Sequence, residues 1–250
     1  MMLKYFISEN MKINHTFVKK LVWIAPIMVI LLSGFLASNY FQVDIYNWWY
    51  TLILPGAISL GSCLLSRIDG YMKNKAVISL PVDLDKIWIA KILVGVKNIA
   101  ISCIVIFIAG ELSVFFIKMD SISHISMLSG LAGTLVIIIT SMWQVPLYFF
   151  LGNKIGLFPT IVLSLAVNIF SIVMAVKEFW WINPFSYTSR LMCPILKLLP
   201  NGLIAKPESQ TFTPELLKSW GIPLGIGISI VLFILITYLT AKWYDRQEAK

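Results

Sequence analysis

Six stretches of this chain are each apolar over the roughly 20 residues that a helix needs to cross the hydrocarbon core of a bilayer. In lipid every backbone N–H and C=O must find a partner within the protein, so a spanning segment is a helix or a strand of a closed barrel. Barrel strands alternate polar and apolar side chains, and these stretches do not. The spans are read as Leu21 to Ser38, Trp48 to Ser66, Ile92 to Phe116, Met127 to Leu151, Leu157 to Val176 and Trp220 to Ala241. Only 13% of the 250 residues are charged, against about 25% in soluble domains, and the mean hydropathy is +0.84. The expected fold is all-α: a polytopic integral membrane protein, with residues 1–250 forming a single transmembrane domain.

Lysine and arginine near span ends bias a segment towards the cytoplasmic side. Six spans put both termini on one side. That side carries Lys4, Lys12, Lys19, Lys20, Arg67, Lys73, Lys75, Lys86, Lys91, Lys154, Lys242, Arg246 and Lys250, and the other only Lys118, Arg190, Lys197, Lys206 and Lys218. Both termini are therefore expected in the cytoplasm, in a multi-pass protein. The net charge of +8 reads as topology and attraction to anionic lipid, with no nucleic-acid partner required. Residues 1–20 precede the first span and include KYFISENMKINHTFVKK, too polar for a cleaved signal peptide joined to so long an apolar run. They are read as an interfacial helix, with Tyr5, Phe6, Ile7, Met11 and Phe17 towards lipid.

Catalytic patterns are missing from the sequence. Cys63, Cys103 and Cys193 form no CxxC pair. His15 and His124 fall on opposite sides of the membrane in this topology, neither belongs to HExxH, and no GxxxxGK[ST] phosphate loop occurs. No metal site, bound cofactor or catalytic residue is expected, and ATP hydrolysis would need another subunit. A membrane protease would need a nucleophile with its base, or a carboxylate pair, at helical spacing.

Two connecting segments are unusual. Residues 67–91, on the terminal side, contain KNKAVISLPVDLDKIWIAK. Pro81 lacks an N–H and disfavours helix at Leu80, so it ends a short amphipathic helix. Asp83 or Asp85 then caps a new helix that carries Ile87, Trp88, Ile89 and Lys91 into the membrane. Helix, corner, helix makes a compact knob that a soluble partner could grip, although a plain solvated connector fits the same residues. On the other side, residues 177–219 are too long for a turn and too apolar for a solvated loop. Trp180, Trp181, Phe185 and Tyr187 suit the headgroup zone, five prolines divide the segment, and Leu191 to Leu199 is expected to dip into the outer leaflet as a re-entrant piece.

Single residues stand out within the spans. Glu111 is the one carboxylate well inside a span, and intramembrane carboxylates mark candidate sites; here it would attract a cationic ligand near the outer end of span 3. Asn47, Trp48 and Trp49 would line the outer mouth. Gly130 and Gly133 form a small-residue face for close helix packing, and Asn98, Gln144 and Asn168 are candidates for bridging helices.

The arrangement as a whole resembles the type-2 ABC exporter permeases. The local wording is most similar to the permease subunits of lantibiotic self-immunity transporters, in the MutE/EpiE-like branch: YNWWY at Tyr46 to Tyr50, LPG at Leu54 to Gly56, SLPVDLDKIWIAK at Ser79 to Lys91, then NPFSY from Asn183 and LPNG from Leu199. Many such permeases carry a glutamate near the start of the coupling loop, where this chain has Arg67 and Asp69. The resemblance implies a subunit of the bacterial cytoplasmic membrane that joins a second related permease, or its own copy, to two copies of an ABC ATPase carrying ATP and Mg. Coupling would fall to Asp69, Lys73, Lys75, Leu80, Pro81, Val82, Asp83 and Lys86. The outer mouth, with Asn47, Trp48, Trp49, Glu111, Trp180 and Trp181, would meet the cationic peptide substrate and membrane lipid. Export of another amphipath or a lipid, or a sensor or scaffold recruiting a cytoplasmic partner, are the alternatives.

Overall fold

The computed structural model describes residues 2–36, 38–68, 83–117 and 124–246. Among the described residues the regular structure is helical, with one isolated β-bridge, and six helical units are long and apolar enough to span a membrane. These are span 1, Phe17–Leu36; span 2, Ser38–Ser66; span 3, Leu84–Phe116; span 4, Met127–Lys154; span 5, Leu157–Ala175; and span 6, Gly221–Asp245. Their outward faces carry large apolar side chains, among them Ile24, Leu31, Phe158, Phe170, Val231 and Ile234. Apolar surface on that scale has lipid as its natural solvent. Spans 2 and 4 are the most buried, and the other four are packed around them.

Contacts between the spans sort into two ends. At one end Arg67 donates to the Gly152 carbonyl at 2.7 Å, the Trp88 indole donates to Thr240 Oγ1 at 3.1 Å, and the Lys154 ammonium lies 5.1 Å from the Trp243 ring centroid. At the other end Gln42 donates to the Gly110 carbonyl and accepts from the Ile125 N–H, while Trp180 packs on Gly221. The spans therefore run alternately up and down, with both chain ends at the first face; we call the opposite one the far face.

Two spans are irregular, each because of a proline. Pro55 has no N–H to give the backbone four residues earlier, and just before it Trp49–Ile53 adopts a π-helical turn, closed by the Leu54 N–H on the Trp49 carbonyl. Span 4 breaks at Met142 and Trp143, where Pro146 cannot donate to Met142 and Val145 does so instead at 3.1 Å. Spans 2 and 4 nonetheless touch backbone to side chain: a Cβ on Gly152 would come within 2.5 Å of Cys63 Sγ and 3.2 Å of its Cα. The expected small-residue packing holds at Gly133, where a Cβ would meet Leu196 at 2.8 Å. Asn168 bridges to the Tyr148 hydroxyl at 3.4 Å. Gln144 Oε1 is buried without a hydrogen-bond partner, and Asn98 lines a groove between spans 1, 2 and 3.

The N-terminal helix, Met2–Lys12, lies against span 3, with Asn10 accepting from Lys97 and buried Glu9 accepting from Lys12 at 2.7 Å. Leu3, Ile7 and Met11, spaced four apart, form its exposed apolar stripe. Phe17 is exposed as well, whereas Phe6 turns inward onto the core. The lipid-facing set is thus narrower than the sequence suggested, and it includes Leu3.

Spans 2 and 3 begin earlier than their hydropathy indicated. Span 2 includes the helix Phe41–Trp48 because Gln42 finds the two backbone partners just described. Span 3 starts at Leu84, with Asp83 at the N-cap position as expected. The Asp83 carboxylate does not cap the helix; it pairs with Lys86.

Candidate functional site

The described residues among those singled out in the sequence do not gather in one place. Asp69, Lys73, Lys75, Leu80, Pro81 and Val82 lie outside the described residues. Asp83 and Lys86 are exposed at the root of span 3 and paired with each other. One turn further on, Trp88 is fully buried: it stacks on Tyr244 at 4.5 Å and meets Phe149 and Trp243 edge-on at 5.5 and 5.8 Å. That root is therefore fastened to spans 4 and 6 at the face bearing the termini.

At the far face the expected aromatic mouth divides. Trp48 is 37% exposed and Trp181 49%, as interfacial rings would be. Trp49 is fully buried, however, and its indole N–H points at Cys103 Sγ, 3.4 Å away in span 3. The π-helical turn produces this by rotating both Trp49 and Tyr50 into the bundle. Trp180 is likewise interior rather than interfacial, edge-on to Tyr187 and under the Arg190 guanidinium, 5.6 Å from its centroid. Glu111 lies beside Gly130 and the Tyr46 hydroxyl, which reaches the Gly130 carbonyl and Thr134 at 3.3 and 3.4 Å.

The segment at 177–219 enters the protein but exposes no lipid face along its helix. The helix runs Tyr187–Leu196, with residues 187–193 buried throughout by spans 4, 5 and 6 and the following loop. Its orienting residue is Arg190, which donates to the Ala175 carbonyl at 3.4 Å and the Glu215 carbonyl at 3.0 Å. Burial lowers the Arg190 pKa from its ordinary value, and burial pushes the Cys193 thiol up to about 12. Cysteines placed along this helix should therefore be protected uniformly, in place of the alternating pattern that a lipid-facing helix would give.

After this helix, LPNG makes a tight hairpin. The Gly202 N–H bonds the Leu199 carbonyl at 2.9 Å, the Leu199 N–H bonds the Leu203 carbonyl at 2.8 Å, and Gly202 has φ +86°. That is a turn followed by a left-handed residue, which glycine alone adopts cheaply. The hairpin rests on YNWWY: a Cβ on Gly202 would stand 3.0 Å from Asn47 Oδ1. Two cavities flank this contact, one of about 360 Å³ lined by Asn47, Trp48, Pro200 and Asn201, the other of about 350 Å³ lined by Tyr40, Asp44, Leu203 and Lys206. Hydropathy starts span 2 at Trp48 and leaves Asp44 outside it, whereas the structure includes Asp44 in the span. Gly202→Ala is expected to lower the unfolding temperature in detergent, costing about 1–2 kcal/mol for left-handed backbone plus the clash with Asn47. Adding Asn47→Ala should recover only the second part.

Fold and site together define a class, that of a multi-pass helical membrane protein with a built far-face segment. Compared with protein-family models, curated proteins and solved structures, the chain matches none of them.

Proposed function

We propose that the chain is the permease subunit of an ATP-driven exporter, removing a cationic lantibiotic-type peptide from the bacterial cytoplasmic membrane and thereby protecting the cell. The reading rests on the sequence resemblance and is supported by one observation, the seating of Trp88. A helix entered from a charged loop would ordinarily fray at its first turn. Here the second turn of span 3 is fastened to spans 4 and 6 through Trp88, and the fourth turn to the N-terminal helix through Lys97. Motion imposed on Asp83 and Lys86 by a partner would thus pass into three spans as a rigid displacement. In this reading the partner is an ABC ATPase, present in two copies and holding ATP and Mg, and a second related permease or a second copy of this chain completes the pathway. The substrate would leave at the far face.

Purified from cells that also express the neighbouring reading frames, the chain should bring with it a P-loop ATPase whose turnover rises with the peptide. Isolation of the well-expressed chain without any ATPase would sink the proposal. Orientation has its own test. Single cysteines at Asn74 and Gln210, in a background lacking the three native ones, should respond oppositely to an impermeant thiol reagent in intact cells. Protection at Asn74 with labelling at Gln210 puts the termini in the cytoplasm, and equal labelling contradicts the proposed topology.

A further inference from the structure

We propose that the far-face cavity between Asp44 and Lys206 binds a zwitterionic lipid headgroup, a primary ammonium beside a phosphate, as in phosphatidylethanolamine. Asp44 is half-buried in span 2 and lines the cavity wall. Among the described residues nothing bonds or pairs with its carboxylate. Lys206 lines the opposing hairpin, half-buried, and its ammonium is equally without a partner there. The two charges share a cavity of about 350 Å³ yet form no ion pair within 4 Å. Space is therefore left between an unneutralised anion and an unneutralised cation, and a ligand with both signs of charge complements the pair.

The remainder of the wall says which zwitterion. Tyr40, Val43, Leu203 and Ile204 are apolar or aromatic, so the ligand carries apolar groups beside its charges. The depth is that of headgroups. Tyr40 is exposed where span 2 begins, and Trp181 and Trp220 are exposed at the same face after span 5 and before span 6, which is the ring of amphipathic aromatics that marks a membrane–water boundary. An ammonium with N–H groups can donate to the Asp44 carboxylate, and a phosphate can accept from Lys206, both as charge-assisted hydrogen bonds. The site is distinct from the peptide-export reading and needs neither an ATPase nor transport.

Native mass spectrometry of the purified chain can test this, with phosphatidylethanolamine, phosphatidylglycerol and phosphatidylcholine supplied at equal concentration. Phosphatidylethanolamine should be retained about tenfold better than phosphatidylglycerol, which lacks the ammonium, and better than phosphatidylcholine, whose ammonium has no N–H to donate. Asp44→Asn is nearly isosteric and should abolish the preference over phosphatidylglycerol. Lys206→Gln should weaken retention of both phosphatidylethanolamine and phosphatidylglycerol. Equal retention of phosphatidylethanolamine by the parent and Asp44→Asn, with unfolding temperatures matched, would overturn the assignment. So would a cationic peptide that displaces no lipid yet loses its binding in Asp44→Asn, since the carboxylate would then serve the peptide.

Discussion

Reversing Lys73, Lys75 and Lys86 to glutamate is expected to abolish copurification of the ATPase while leaving membrane insertion and abundance near normal. The change replaces three positive charges by three negative ones at a proposed protein contact, and like-charge juxtaposition there costs several kcal/mol. At about 4 kcal/mol the complex weakens by about a thousandfold. Lys73 and Lys75 lie outside the described residues. For Lys86 the structure adds a local reason: it pairs with Asp83, so glutamate at 86 would set like charges one turn apart at the root of span 3. Insertion should survive because Lys4, Lys12, Lys19, Lys20, Lys154 and Lys242 still mark that side. Pro81→Ala makes the informative contrast. It keeps every charge but permits the preceding helix to continue, so it should retain some ATPase binding while uncoupling ATP turnover from peptide release. If both variants protect cells as well as the parent, residues 67–91 are a plain connector.

The second large effect is expected at Arg190. Its guanidinium holds the Ala175 and Glu215 carbonyls together and covers the Trp180 ring. Arg190→Ala leaves the buried Ala175 carbonyl without its charged donor and takes one of two donors from the Glu215 carbonyl, which keeps the Lys218 N–H at 3.3 Å, at a cost on the order of 2 kcal/mol. Arg190→Lys should recover part of this, since one ammonium cannot reproduce the planar fork that reaches both carbonyls. Cys193 offers a direct reading. Burial pushes its thiol up to about 12, with Arg190 working in the opposite sense, so the parent should be inert to maleimide near neutral pH. Loss of Arg190 removes a cation and by itself raises the thiol pKa further, which lowers the thiolate fraction. Faster labelling of Cys193 in Arg190→Ala can therefore only report exposure. Unchanged labelling with an unchanged unfolding temperature would mean that the far-face segment holds itself without Arg190.

How the sequence relates to the structure is seen best at the tryptophans. Trp48, Trp49, Trp180 and Trp181 all carried one reading, interfacial rings at an outer mouth, because hydropathy cannot tell an aromatic ring at a boundary from one in a core. The structure leaves Trp48 and Trp181 exposed and buries Trp49 and Trp180. In the first pair the π-helical turn before Pro55 carries Trp49 inward, and in the second Tyr187, Arg190 and Gly221 enclose the Trp180 ring. Trp88 was placed on the helix entering the membrane, but its partners Phe149, Thr240, Trp243 and Tyr244 come from helices far along the chain.

What the sequence by itself determined is the helical class and the six spans. These follow from local physics: backbone hydrogen bonds that must close within each segment in lipid, and apolar side chains over the length a bilayer requires. The tertiary structure alone decided where span 2 begins, since Gln42 enters the bundle only because Gly110 and Ile125 offer it backbone partners. It also decided that LPNG rests on Asn47 and that Asp44 and Lys206 line one cavity. Each of these depends on groups more than 80 residues apart in the chain or on hydrogen bonds between different spans, and in an apolar bundle it is such pairings that make a buried polar side chain affordable.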